Sequence, residues 1–237
     1  MPKYYDWEFL LDGDTQEFRN LVYQPGTILF NLYGGVDDWN DCPNDDFRLS
    51  TLYCDGETDI NVVWEVGNEL ISLFNGASVL YKRDYKKASI CNLLHNGALC
   101  ASSEIKHEYH MRPAPLGTPK CSDDILEKLE DQAKKLSKKL RLLYLATINN
   151  DVYCILKYLA MEENWVNYFN LVETIETFSG TYPVHPFSKT KRDTFRRNAG
   201  TFSVSGFDSR HGFKDIAKEA PPKTMLISEA YNLVVSA

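Results

Sequence analysis

The chain is short of the signals that name a reaction. Its six cysteines (Cys42, Cys54, Cys91, Cys100, Cys121, Cys154) are scattered, with no C-x-x-C pair among them. That spacing argues against a zinc ribbon or a dithiol centre and for reduced, structural thiols. No apolar run approaches the roughly 20 residues that span a bilayer. The opening MPKYYDWEFLLDGDTQEF has no basic start followed by an apolar stretch and a small-residue cleavage site, so no signal peptide is expected. The compartment these absences imply is the cytoplasm, with no membrane contact. No catalytic or cofactor motif of high specificity is present, and neither a cofactor nor a bound metal is expected.

Basic residues are also scarce at one end. Residues 1–81 hold 3 Lys/Arg against 15 Asp/Glu, whereas residues 82–237 hold 23 against 18. The two stretches therefore carry net charges of −12 and +5 within a chain whose total is −7. Such asymmetry points to regions that work differently or meet partners of opposite sign. The overall acidity disfavours non-specific nucleic-acid binding, which needs positive surface to displace counterions. What the chain does have is aromatic bulk: 14 Tyr, 12 Phe and 4 Trp in 237 residues. At roughly 150–250 Å² buried per ring, these can build a substantial core.

Punctuation divides the first part into short elements. Residues 3–11, 47–54 and 88–94 read as strands bounded by Asp-Gly or Asn-Gly turns, and 20–33 as two strand segments around Pro25-Gly26. Asn96-Gly97 is a hairpin signal, with 97–111 as the returning strand. Val62, Val63, Val66, Leu70, Ile71, Leu73 and Phe74 recur at helical spacing after Asp59, a plausible N-cap, and Asn75-Gly76 reads as the stop. Residues 77–82 then read as another strand. The stretch 112–121 (RPAPLGTPKC) has three prolines and a glycine and is the expected boundary. Beyond it Ser122 opens a long amphipathic helix with Ile125, Leu129, Ala133, Leu136, Leu140 and Leu143 on one stripe. Further helices are expected over 150–161, 164–178, 188–199 and 226–236. The fold class is thus α+β: an acidic β-rich region with one helix (1–111), a linker (112–121) and a helical region (122–237).

Four polar clusters invite a chemical role. The loop 36–46 gathers Asp37, Asp38, Asp41, Asp45 and Asp46, but it lacks EF-hand spacing and reads as solvated acid or as a dock for a basic patch. His107-Glu108-Tyr109-His110 on a strand would put its imidazoles on opposite faces, which does not make a metal site. Lys134, Lys135, Lys138, Lys139 and Arg141 read as the wet side of the long helix. The fourth cluster is the most informative. Glu173 and Glu176, one turn apart on the Trp165 helix, precede the basic run Lys189, Lys191, Arg192, Arg196 and Arg197. Asn198, Ser205, Asp208, Arg210 and His211 follow closely. Arg210 is a permanent cation suited to a carboxylate or phosphate, and His211 titrates near neutrality.

From Trp165 onward the chain resembles a group of bacterial proteins with no established activity. In that group a Trp-led helix bearing Glu and Ile precedes Asn, then Ser-Gly, then Arg-His, then a Pro-Lys stretch and a short last helix. The matching residues are Trp165, Glu173, Ile175, Asn198, Ser205, Gly206, Arg210, His211, Pro222, Lys223 and Glu229. The resemblance implies a shared architecture and no chemistry. We therefore expect a binding or interaction module with Glu173, Asn198, Ser205, Asp208, Arg210 and His211 as its site. Its expected partner is another protein or a second copy, with a small anionic ligand as a further candidate. Two alternatives stand beside it. One is an enzyme acting on a phosphate- or carboxylate-bearing substrate, with Arg210 and His211 catalytic. The other is nucleic-acid binding through the basic helices.

Overall fold

The computed structural model describes residues 6–37, 44–106, 112–181, 187–211 and 224–236, which form an α+β fold. Strands β1 (Trp7–Asp12), β2 (Asn31–Asp37), β3 (Asn44–Ser50), β4 (Ser89–His95) and β5 (Ala98–Leu99) make one antiparallel sheet in the order β2-β3-β1-β4-β5. Alternation along β1 sends Trp7, Phe9 and Leu11 to one face. Phe9 stands opposite Leu49 on one side and Leu93 on the other, and all three are buried. Fully burying each such side chain stabilises the fold by about 1.5–3 kcal/mol. Asn96 and Gly97 both adopt positive φ, 51° and 78°, closing the β4–β5 turn that the Asn-Gly pair announces.

Residues 20–22 and 77–81, read as strand, are helical. Helix α1 (Thr15–Val22) starts at Asp14, whose Oδ1 accepts from the Glu17 N–H at 3.1 Å, and it buries Phe18 and Leu21. Only Asn31 onward in 20–33 joins the sheet. Helix α2 (Ile60–Tyr81) begins at Asp59, whose carboxylate accepts from the Asn61 N–H. It runs through Asn75-Gly76 without stopping. Asn75 is buried, and its side-chain amide donates to the Ala88 carbonyl at 2.9 Å and accepts from the Ala88 N–H at 2.7 Å. A residue that reads locally as a terminator is therefore a tertiary tie, and the segment 77–82 is the end of α2. The returning strand after Gly97 is only β5; residues 107–111, with His107, Glu108, Tyr109 and His110, lie outside the described residues.

The proline-rich stretch is packed. Tyr53 donates to the Gly117 carbonyl, the Gly117 N–H donates to the Thr147 carbonyl, and Tyr153 donates to the Arg112 carbonyl. The long helix expected after Ser122 is two, α3 (Asp123–Lys134) and α4 (Lys138–Ile148). Leu129 of α3 packs with Leu29 and Leu52. The break lets Lys139 turn inward. Its ammonium pairs with Glu17, donates to Ser78 Oγ at 3.1 Å and sits 5.0 Å from the Phe74 ring centroid. Lys139 thus leaves the wet side on which its helical position placed it.

Helix α5 (Asn150–Ala160) follows, and the chain divides into two compact units between Tyr153 and Cys154. The composition shift at 112–121 lies within the first unit. The second holds α6 (Trp165–Thr181), α7 (Lys189–Gly200), the one-turn α8 (Phe202–Ser205) and α9 (Ile227–Val235).

Gly67 explains itself only in three dimensions. A Cβ there would meet the Phe9 ring at 2.3 Å. In an open helix Gly→Ala stabilises by about 1 kcal/mol. Here we expect Gly67→Ala to destabilise by about 1–3 kcal/mol through overpacking, read as a lower urea midpoint at unchanged m-value.

Candidate functional site

The second unit is built on Phe195. It is fully buried, with the Trp165 ring 5.9 Å and the Phe169 ring 6.5 Å from it, centroid to centroid. These contacts hold α7 against α6. One turn after Phe195 comes Asn198, also fully buried. Its amide donates to the Thr194 carbonyl at 2.8 Å, and its Oδ1 accepts from the Met225 N–H at 2.9 Å. Asn198 therefore fastens the start of the last helical segment to α7. One residue on, the Leu226 N–H donates to Glu229 at 2.7 Å, capping α9. Two members of the sequence pattern are thus joints of the fold.

The turn after α7 is anchored just as closely. The Arg210 N–H donates to the Ala199 carbonyl at 2.9 Å. Ser205 donates its hydroxyl to the Thr201 carbonyl at 3.1 Å. Gly206 has φ 59° and ψ −135°, a conformation that is essentially glycine's alone. A 3-10 turn over Gly206–Asp208 follows, closed by the Ser209 N–H donating to the Gly206 carbonyl.

Arg210 and Glu173 come together. The guanidinium lies 4.1 Å from the Phe169 ring centroid and its Nη2 is 3.9 Å from Glu173 Oε1. Both side chains are about half exposed, so the ion pair contributes little stability, and the cation–π contact contributes about 0.5–1 kcal/mol. Glu176, one turn on, takes Arg196 at 2.6 Å and Arg192 at 3.7 Å. His211 is exposed, near Gly200, where an added Cβ would meet its ring at 3.2 Å. Among the described residues no hydrogen bond orients its imidazole. Asp208 is exposed as well. Asn198 turns toward Thr194 and Met225, while Arg210 reaches Phe169 and Glu173. Gly212, Pro222 and Lys223 lie outside the described residues.

The remaining clusters resolve differently. Among the described residues no group of three or more His, Cys, Asp and Glu is placed to hold a metal. Residues 38–43 of the acidic loop lie outside the described residues, and Asp46 pairs with Arg48 at 2.6 Å. Burial pushes the Cys54 thiol up to about 12, which leaves it inert at neutral pH. Lys134 pairs with Asp131, and Arg141 donates to the Lys134 carbonyl.

One cluster escaped the sequence. On the sheet face opposite Phe9, Glu8 of β1 accepts from the Tyr33 hydroxyl of β2 and from Arg48 of β3, which also holds Asp46. Glu8 is only 7% exposed although charged. Burial and the hydrogen bond to Glu8 push the Tyr33 hydroxyl well above the ordinary phenol range, so it stays a donor. The signal was faint: a carboxylate alternating with Trp7 and Phe9 in an apolar strand.

Comparison of the chain with protein-family models, curated proteins and solved structures finds no match.

The glycine at 206 aims the turn. We expect Gly206→Ala to cost about 1–3 kcal/mol from backbone strain, whereas Ser205→Ala should cost about 1 kcal/mol or less. Thermal melts of the two variants check the order.

Proposed function

We propose that the protein is a binding protein whose second unit docks an acidic segment of a partner protein. The observation that supports it is Phe207. It is 98% exposed, at the tip of the turn that Gly206 shapes, and it meets the Phe202 ring edge-on at 5.5 Å. An aromatic side chain exposed to this degree and held against a second ring is of the type that anchors the centre of an interface. The same unit is rich in exposed cations: Arg210 follows three residues later, paired with Glu173, and Lys189, Lys191, Arg197 and the Glu176-paired Arg196 are exposed along α7. Aromatic and arginine side chains are the types enriched where proteins bind proteins. The positive charge favours an acidic partner and speeds its encounter.

The enzyme alternative draws less support. His211 has no orienting hydrogen bond among the described residues, and general acid–base chemistry needs a held base. Arg210 remains able to take a small anion at its exposed edge.

Capture from a cell lysate on immobilised wild type and Phe207→Asp tests the proposal. We expect at least one acidic protein to be retained by the wild type and weakened about tenfold or more by the substitution, the scale of an interface anchor. Identical retained sets would overturn it. Retention of nucleic acid alone, released steeply by salt, would support the nucleic-acid alternative instead.

A further inference from the structure

The Glu8–Tyr33–Arg48 cluster lines an open depression of about 660 Å³ on the outer face of the sheet, in the first unit. That is the size of a small-molecule site. Among the described residues its walls are Glu8, Tyr33, Gly34, Asp46, Arg48, Asn96 and Gly97. Strand register assembles it, for Tyr33 faces Arg48 directly and Leu10, two residues from Glu8, faces Arg48 from the other side. Gly34 permits the close strand approach, since a Cβ there would strike the Asp46 carbonyl oxygen at 1.9 Å.

A buried ion pair is often no more stable than well-packed apolar residues filling the same space, so folding alone does not call for a charged network on this sheet face. The network is also held still. Tyr33 fixes one oxygen of Glu8. Arg48 donates from Nε and Nη2 to Asp46, at 3.1–3.2 Å and 2.6 Å, and from Nη1 to Glu8 at 3.4–3.5 Å. A guanidinium carries five N–H groups. Among the described residues one N–H of Nη2 has no acceptor, and each carboxylate keeps lone pairs. Fixed donors thus stand beside fixed acceptors.

Charge narrows the ligand. An anion would face two carboxylates. A cation would face a guanidinium already set between them. A hydroxyl both donates and accepts, so neighbouring hydroxyls on one ligand satisfy both halves of the array without adding charge. We infer that this depression binds a neutral polyhydroxylated small molecule, of the sugar or cyclitol class, through adjacent hydroxyl groups held between Arg48 and the Glu8 and Asp46 carboxylates.

Saturation-transfer NMR on the full chain tests this with methyl α-glucoside, methyl α-mannoside and myo-inositol as neutral probes, and with putrescine and malonate as charged ones. We expect transfer to at least one neutral probe, with affinity lowered about tenfold or more in Arg48→Met and in Asp46→Asn. Asp46 is 42% exposed, so its isosteric amide guards against a result that only reports misfolding. Transfer to none of the neutral probes, transfer to a charged probe only, or affinity unchanged in both variants overturns the inference. Because Arg48 and Asp46 both lie on β3, their variants report on the sheet and not on Phe207 and its partner.

Discussion

The second unit depends on one buried amide. Asn198 has no access to water, and both ends of its side chain are engaged, one with Thr194 on its own helix and one with the Met225 N–H 27 residues later in the chain. A buried amide is costly unless its donors and acceptors are matched, and here the matching partner is a backbone group that only the correct fold supplies. With Met225 fixed, Glu229 can cap α9, which packs on α6 and buries Ala230, Tyr231, Leu233 and Val234. With the end of α7 fixed, the Ala199 carbonyl is in place to receive Arg210, which brings its guanidinium over Phe169.

This changes the meaning of the pattern that marked the C-terminal residues as a candidate site. Asn198, Ser205, Gly206 and Glu229 act as joints: a tie, a turn closure, a backbone hinge and a cap. Among the described residues between Gly206 and Glu229, Phe207, Asp208, Arg210 and His211 are exposed. A turn tied in this way would lose little ordering entropy on association, which is the physical basis of the proposed binding role.

Local chemistry was legible in the sequence where a residue acts on its own neighbours. Asp59 caps α2, Asn96-Gly97 makes its turn, and the last helix spans Ile227–Val235. It was illegible where a residue acts across the chain. Asn75 looks like a helix stop because its partner, Ala88, is named only by folding. Lys139 sits in a basic run and looks wet, yet the break before α4 turns it onto Glu17 and Phe74. Glu8 and Arg48 are 40 residues apart, and neither belongs to a motif. Their meeting follows from strand order β3-β1, which hydrophobic alternation does not specify. The two proposed surfaces differ accordingly. The Phe207 turn lies in a segment the sequence already singled out, whereas the sheet-face cluster exists only once three strands are in register.

The clasp at Asn198 is tested most directly by amide hydrogen exchange at Met225. We expect that N–H to be protected in the wild type and to exchange roughly tenfold or more faster in Asn198→Ala, the loss of a buried hydrogen bond of about 1.5 kcal/mol, while amides in the middle of α6 keep their protection. An unprotected Met225 amide in the wild type, or equal protection in both proteins, would contradict it.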